Sequence, residues 1–145
     1  MLSNSAYIKL VPASTQQSIS LDEVKGHFHH YKEMTAKTGS QVSWSYSEAA
    51  FPYELKEQPE GKDHWFYLKS DEKGYNMLVV GVGSEQVEDE NGESVERQFI
   101  QIVLPEGATH GDKGKGNEFS KYLSKKLEAE LHLFNGRIMY YYKRK

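Results

Sequence analysis

The chain of 145 residues contains no cysteine. This absence excludes disulfide frameworks, thiolate nucleophiles and zinc sites built on thiolates. It fits a reducing compartment, so we predict a cytoplasmic location. The first five residues lack the basic and apolar regions of a secretory signal, and we expect no such signal here.

Long apolar runs and an excess of positive charge are also missing. The longest apolar runs, such as residues 77–80, are far shorter than the roughly 20 residues that a membrane span requires. The 18 basic and 21 acidic residues give a net charge of −3, whereas nucleic-acid binders usually carry a positive excess. We therefore predict neither a membrane nor a nucleic-acid partner.

What the chain does contain is enough apolar material for one core. Hydrophobic residues make up 37% of the sequence and aromatic residues 12%. A chain of this length fits one domain, whereas two halves would be too small for independent cores. We predict a single domain over residues 1–145.

The first half reads as strand, helix and short strands. A capping box formed by Ser20 and Glu23 predicts a helix start, and Gly39 is a plausible helix end. Pro52 limits its neighbourhood to an edge strand or a bend. The predicted strands are 6–11, an alternating stretch at Val42, Trp44 and Tyr46, and 65–68, with a turn over 57–63.

The second half begins with a hairpin of strands 77–83 and 97–104. Asn91-Gly92 favours a two-residue type I′ turn, which places Val80 opposite Val103. This register puts Gly81 and Gly83 on the isoleucine-rich face, where helix packing is favoured over a ligand. The acidic stretch 85–96 is expected to be a charged hairpin tip and, with the first five residues, the least ordered part of the chain.

The remaining pattern sets the fold class. Four-residue apolar spacing predicts a helix over 117–134, followed by a last strand over 137–142. Strands gathered between two helices predict an α+β fold: a mainly antiparallel sheet of five to six strands, with both helices on one face. The last strand–helix–strand unit can form a parallel crossover.

Residues 105–116 are predicted to be a loop with four glycines, and the candidate ligand site lies at its end, over residues 110–117. Its position between a strand and a helix is where backbone amides bind phosphate. Its glycine order resembles the pyrophosphate loop of the acyl-CoA N-acetyltransferases, although Gly111 stands where that family has Gln or Arg. The candidate anion-binding residues are Gly111, Lys113, Gly114, Lys115 and Gly116; a flexible loop before a helix is the alternative.

Other motifs are incomplete. His27, His29 and His30 lack a second histidine at the spacing of helical zinc sites, so a solvated helix face is favoured and no metal is predicted. No serine lies in a nucleophile elbow and no paired carboxylates stand out, so no catalytic residue and no cofactor is predicted. The sequence favours a non-enzymatic role and does not indicate an oligomeric state.

Aromatic residues suggest a surface for a partner. Core burial is expected for most of them, and any exposed remainder favours a protein or peptide partner. The residues that can share one sheet face are Trp44, Tyr46, Trp65, Tyr67, Tyr140 and Tyr142.

Several blocks together resemble a family of small domain-of-unknown-function proteins from spore-forming Gram-positive bacteria. The most specific blocks are residues 109–113 (Thr-His-Gly-Asp-Lys) and 131–137 (Leu-His-Leu-Phe-Asn-Gly-Arg). The resemblance implies no activity, cofactor or catalytic residue, and it implies an FKBP-like α+β fold without prolyl-isomerase pocket motifs. We predict a protein- or peptide-binding domain; the alternatives are CoA or nucleotide binding at residues 111–116 and a degenerate prolyl isomerase.

Overall fold

The structure, a computed structural model, describes residues 4–42, 51–61 and 64–142, with the backbone alone for 36–42. Within these residues the chain forms two α-helices, one 3₁₀ helix (Pro59–Gly61) and seven strands. The helices are α1 (Leu21–Val42) and α2 (His110–Leu127). The strands are β1 (Ser5–Lys9), β2 (Glu54–Lys56), β3 (Trp65–Lys69), β4 (Met77–Glu88), β5 (Ser94–Val103), β6 (Glu130–His132) and β7 (Ile138–Tyr140).

The strands form one sheet in the order β2-β3-β4-β5-β1-β6-β7. Each strand pairing is antiparallel. Because β5 and β6 both run antiparallel to β1, they run in the same direction with β1 between them. The predicted crossover through α2 therefore exists, but it skips a strand and creates no parallel pair.

One face of the sheet holds the core. Alternation along each strand places apolar side chains on this face, and nine of them are fully buried: Ala6, Ile8, Phe66, Leu68, Leu78, Val80, Ile100, Ile102 and Leu131. Phe28 of α1 contacts Phe66 of the sheet and Phe119 of α2, at ring centroid distances of 5.9 Å and 5.3 Å. Both helices thus cover the same face, and the predicted α+β fold is confirmed with seven strands rather than five or six.

Helix α1 begins as predicted and ends later. Ser20 and Glu23 exchange the two hydrogen bonds of a capping box, each at 3.2 Å. The helix continues past Gly39 to Val42, so the predicted end and the start of the following strand are wrong. The rest of that predicted strand, with Trp44 and Tyr46, lies outside the described residues.

Helix α2 begins and ends seven residues earlier than predicted. The stretch from His110 to Gly116 is helix rather than loop. Glu128 adopts a left-handed conformation and ends the helix, and Leu131 then lies in β6. A four-residue apolar spacing continues from Leu127 to Leu131 because a strand on the core face also buries alternate residues, so the spacing alone does not reveal the helix end.

The predicted hairpin register is wrong by one residue. Asp89 and Glu93 close a three-residue loop, with the Asp89 N–H donating to the Glu93 carbonyl at 2.8 Å. Gly92 takes the left-handed conformation, with φ of 78°, as three-residue loops require. Val80 consequently faces Ile102. A slip of one residue reverses the face of every side chain, so Gly81 and Gly83 lie on the face away from the helices.

Candidate binding site on the outer face of the sheet

The face of the sheet opposite the helices, here called the outer face, is covered by no described element. Its apolar and aromatic side chains are half-buried or exposed, and they come from five strands. They are Tyr7, Trp65, Tyr67, Met77, Val79, Phe99, Val103, Ile138 and Tyr140. An exposed apolar surface of this kind is typical of an interaction site.

A groove lies near the middle of this outer face, above Gly81. It has a volume of about 420 Å³ and is lined mainly by Trp65, Val79, Gly81, Gln101 and Val103. Gly81 makes the groove because it offers no side chain between Trp65 of β3 and Gln101 of β5, its register partners. A Cβ at this position would lie 3.0 Å from the His64 carbonyl oxygen.

One polar group is fixed within the apolar lining of the groove. The Gln101 side-chain nitrogen donates to Ser5 Oγ at 3.0 Å and to the Tyr7 hydroxyl at 3.2 Å. Its carbonyl oxygen receives no hydrogen bond from the part of the chain that the structure describes, so it can accept one from a ligand. An apolar groove with one oriented acceptor is the usual composition of a specific binding site.

Beside the groove, the Phe99 ring covers Gly83 and forms a platform on the outer face. The Phe99 ring lies over Gly83, where an added Cβ would meet the ring at 2.8 Å. The Tyr7 ring contacts the Phe99 ring edge to face, with centroids 5.3 Å apart. Glycine at this position therefore leaves room for an aromatic ring close to the sheet beside the groove.

Beyond this platform, β4 and β5 extend as a two-stranded arm. The two strands pair as far as Glu88 and Ser94, whereas β3 pairs with β4 only to Gly81 and β1 with β5 only to Phe99. We call residues 84–98 the hairpin arm. The stretch predicted to be poorly ordered is therefore strand on both sides of a tight turn, and that prediction is wrong.

The hairpin arm carries six acidic residues and one basic residue, Arg97. Glu85 pairs with Lys9 at 3.2 Å and faces Arg97 in the register. The Asp89 carboxylate accepts hydrogen bonds from the Asn91 and Glu93 N–H groups, both at 2.9 Å. The four other carboxylates are exposed and form no ion pair within the described ranges: Glu88, Glu90, Glu93 and Glu96.

A different group occupies the N-terminus of α2, where an anion was predicted. Asp112 is fully buried and accepts hydrogen bonds from the Asn76, Met77 and Thr109 N–H groups at 3.0, 3.2 and 3.0 Å. The Tyr53 hydroxyl donates to it at 2.6 Å. The protein's own carboxylate therefore takes the favourable position for negative charge at this helix end.

The pKa values of Asp112 and Tyr53 reflect this contact. Burial alone would raise the pKa of Asp112, but the hydrogen bonds from Asn76, Tyr53, Thr109 and Met77 outweigh burial and lower it. Burial, together with the Asp112 carboxylate, raises the pKa of the Tyr53 hydroxyl. The pair is thus a carboxylate and a neutral phenol, which suits a structural hydrogen-bond centre.

Two of the predicted anion-binding glycines contact the rest of the fold. A Cβ on Gly111 would collide with the Gly74 carbonyl and the Tyr75 ring, and one on Gly116 would lie 3.0 Å from the Phe134 ring. Lys115 pairs with Glu118 at 3.1 Å. A Cβ on Gly114 would meet nothing within 4 Å, and Lys113 lies half-buried on the same helix. Anion binding at these residues stays a prediction, on a helix that already carries a buried carboxylate.

Comparison with known proteins identifies the family of this chain. A family model described as a domain of unknown function, DUF1885, matches residues 4–143. The chain belongs to this family. A search of curated proteins found no match.

A solved structure related to the DUF1885 chain is described as a protein of unknown function from Bacillus stearothermophilus. It is 40% identical in sequence, with a TM-score of 0.56, and the match covers 87% of this chain and 91% of the other. The predicted resemblance to a domain-of-unknown-function family is therefore confirmed. Neither description names an activity, so function must be argued from the geometry.

The histidines of α1 are dispersed. His29 and His30 are exposed and His27 is half-buried; burial, together with the positive charge of Lys126, lowers the pKa of His27. No group of three or more potential metal ligands occurs among residues 4–42, 51–61 and 64–142. In the same ranges no helix is long and apolar enough to cross a membrane.

A second cavity, of about 640 Å³, lies beside the start of α1. Its lining contains Asp22, Lys25 and Glu57, and Lys25 forms ion pairs with both carboxylates. Lys25 thus already has two ionic partners within the protein, and the lining offers fewer apolar side chains to a ligand than the outer-face groove does.

The aromatic prediction is confirmed for part of its set. Trp65, Tyr67 and Tyr140 share the outer face, and Tyr142 contacts the Tyr140 ring at 5.8 Å. Core burial does not account for these four, because all are half-buried or exposed. Sequence reasoning missed Gln101 and Asp112; Thr109 and Asp112, three residues apart, form a capping-box pair that signals the helix start.

Proposed function

We propose that this domain binds a segment of another protein on the outer face of its sheet. An apolar side chain of that segment inserts into the groove over Gly81, between Trp65 and the paired Val79 and Val103. The observation that carries the proposal is the uncovered apolar face itself: no described helix or strand packs on it, while both helices cover the opposite face.

The groove has the size and chemistry for such an anchor. Its volume of about 420 Å³ falls within the roughly 300–1,000 Å³ of ligand pockets. Burial of one large apolar side chain contributes about 1.5–3 kcal/mol, and the Gln101 carbonyl oxygen can accept a backbone N–H of the bound segment. Two interactions of this size suit a reversible complex rather than a permanent one.

The distribution of perturbed ionisable groups favours binding over catalysis. Active sites gather groups whose pKa values are strongly displaced. In the described part of the chain, the groups with displaced pKa values are Glu23, His27, Tyr53, Asp112 and Tyr122, and none of them lines the groove. CoA or nucleotide binding at residues 111–116, prolyl isomerisation and an FKBP-like assignment stay predictions.

Selection from a peptide library tests the proposal. Random 12-residue peptides displayed on phage are selected against the wild-type domain, and the enriched peptides are then measured against two variants. Val103→Lys places a charge in the groove. Met34→Lys is the matched control, since Met34 lies on α1, on the side of the sheet away from the groove, and is already 40% exposed.

We expect the enriched peptides to share an apolar residue, to bind the Met34→Lys variant as they bind the wild type, and to bind the Val103→Lys variant at least ten-fold more weakly. Thermal unfolding of both variants checks that each is folded. Equal binding to both variants, or no enrichment over a blank surface, would show that the groove is not the binding site.

A further inference from the structure

We infer that the segment bound in the groove is basic, with lysine or arginine side chains that lie toward the hairpin arm. This inference rests on the proposed function, because it assigns the chemistry of the partner at the same surface. Three properties of the arm support it: its charge, the lack of ion-pair partners for most of that charge among the described residues, and its continuity with the groove.

The negative charge of the protein is concentrated on the arm. Residues 84–98 hold six of the 21 acidic and one of the 18 basic residues, which gives the arm a net charge of −5. The remaining 17 basic and 15 acidic residues leave the rest of the chain at +2. The acidic character of this protein therefore belongs to one protruding element.

Most of this charge lacks a partner within the part of the chain that the structure describes. Glu85 pairs with Lys9 and faces Arg97 in the register, whereas Glu88, Glu90, Glu93 and Glu96 are exposed without an ion pair. The Glu90 and Glu93 carboxylates stand at the tip, three residues apart. Like charges at one hairpin tip repel each other, and a cationic partner reduces that repulsion.

The arm continues the floor of the groove. Along β4, the residues of the outer face run from Val79 and Gly81, under the anchor, to Glu85 and then Val87. Val87 and Val95 form a half-buried apolar pair midway along the arm. At about 3.4 Å per residue, an extended segment anchored at Gly81 reaches the acidic tip within roughly eight to ten residues.

The length of the surface from the groove to the acidic tip sets the length of the partner segment. It is a segment of about ten residues with an apolar anchor at one end and two or more basic residues at the other. Exposed charges at the edge of an interface act mainly on the association rate and on its salt dependence. Binding should therefore be fastest at low ionic strength.

The test uses the selected peptides with a charge-reversed arm, Glu90→Lys/Glu93→Lys. The matched control is Glu72→Lys/Glu106→Lys, which changes the net charge equally. Glu72 and Glu106 are exposed and lie at the opposite ends of β4 and β5 from the arm. Dissociation constants and association rates are measured by surface plasmon resonance at low and at physiological salt.

We expect the enriched peptides to be basic opposite the anchor, and the arm variant to bind them about ten-fold more weakly at low salt, through slower association. The control variant should bind within about two-fold of the wild type. Enriched peptides that share an anchor but no charge, or equal binding by the two variants, would overturn this inference and leave the proposed function standing. Peptides that bind the Val103→Lys variant as well as the wild type would overturn both.

Discussion

Replacement of Asp112 by asparagine is the most demanding test of how this fold is held together. The Asp112 carboxylate joins the start of α2 to the start of β4 and to Tyr53, through three backbone N–H groups and one hydroxyl. The Asp112→Asn substitution keeps the shape of the side chain, but it replaces one accepting oxygen with an NH₂ group. At least one buried donor then faces another donor.

The size of the effect follows from the number of hydrogen bonds. A hydrogen bond to a charged group contributes about 1.5–3 kcal/mol, and an unsatisfied buried donor costs a similar amount. We therefore expect Asp112→Asn to lower the free energy of unfolding by about 3–4 kcal/mol, a large part of the roughly 5–15 kcal/mol of a typical domain. Tyr53→Phe removes one bond and should cost about 1–2 kcal/mol.

Equilibrium unfolding in urea, followed by tryptophan fluorescence and far-UV circular dichroism, measures these differences. Asp71→Asn is the matched control, because Asp71 is exposed on the turn after β3 and should change the free energy of unfolding by less than about 0.5 kcal/mol. An Asp112→Asn variant within 1 kcal/mol of the wild type would refute the reasoning, since the carboxylate would then not be the centre of this network.

The pH dependence of the free energy of unfolding tests the role of Asp112 independently. The pKa of Asp112 is lowered in the folded protein, so the unfolded chain, with an aspartate pKa near 3.9, takes up a proton first as the pH falls. The contribution of Asp112 is therefore fully present above about pH 4 and is lost below it. The difference in unfolding free energy between wild type and Asp112→Asn should shrink as the pH falls from 5 to 3; a constant difference would contradict the assignment.

Three further substitutions follow from close contacts and backbone conformation. Gly116→Ala should destabilise the fold by about 1–3 kcal/mol, because its Cβ meets the Phe134 ring at 3.0 Å. Gly114→Ala, on the open side of α2, should stabilise it by about 0.5–1 kcal/mol. Gly92→Ala should cost about 1 kcal/mol, since φ at Gly92 is 78°. Thermal and urea unfolding check all three, and equal effects of Gly116→Ala and Gly114→Ala would contradict the packing described here.

Several elements of this fold were readable from local patterns, whereas the register of the hairpin was not. The capping box at Ser20 and the strands β1 and β3 depend mainly on neighbouring residues, and all three were predicted. The register of β4 and β5 depended on whether the loop contains two residues or three. Asn91-Gly92 fits either loop. A two-residue type I′ turn needs a positive φ at both residues, which asparagine and glycine tolerate, whereas the loop in the structure needs it at Gly92 and not at Asn91. Because the observed register differs from the predicted one by a single residue, Gly81 lies on the outer face rather than on the core face, and the groove forms there.

The start of α2 was mispredicted because of what its glycines contact. Gly111 and Gly116 suggest a loop when the sequence is considered alone, since glycine is a poor helix former. In the structure these two positions lie against Gly74, Tyr75 and Phe134, contacts that come from distant parts of the chain. The Asp112 network was missed for the same reason: its donors at Tyr53, Asn76 and Met77 are far away in sequence, and only the Thr109 cap is local.

Binding at the outer face of the sheet is tested most directly by an NMR titration of the wild-type domain with a selected peptide. If the outer face is the binding surface, the largest shift changes should occur at the Trp65 indole, at the Gln101 side-chain amide and along β4 and β5 around Gly81 and Gly83. Shift changes concentrated on α1 and α2, with the outer face unchanged, would show that the peptide binds elsewhere.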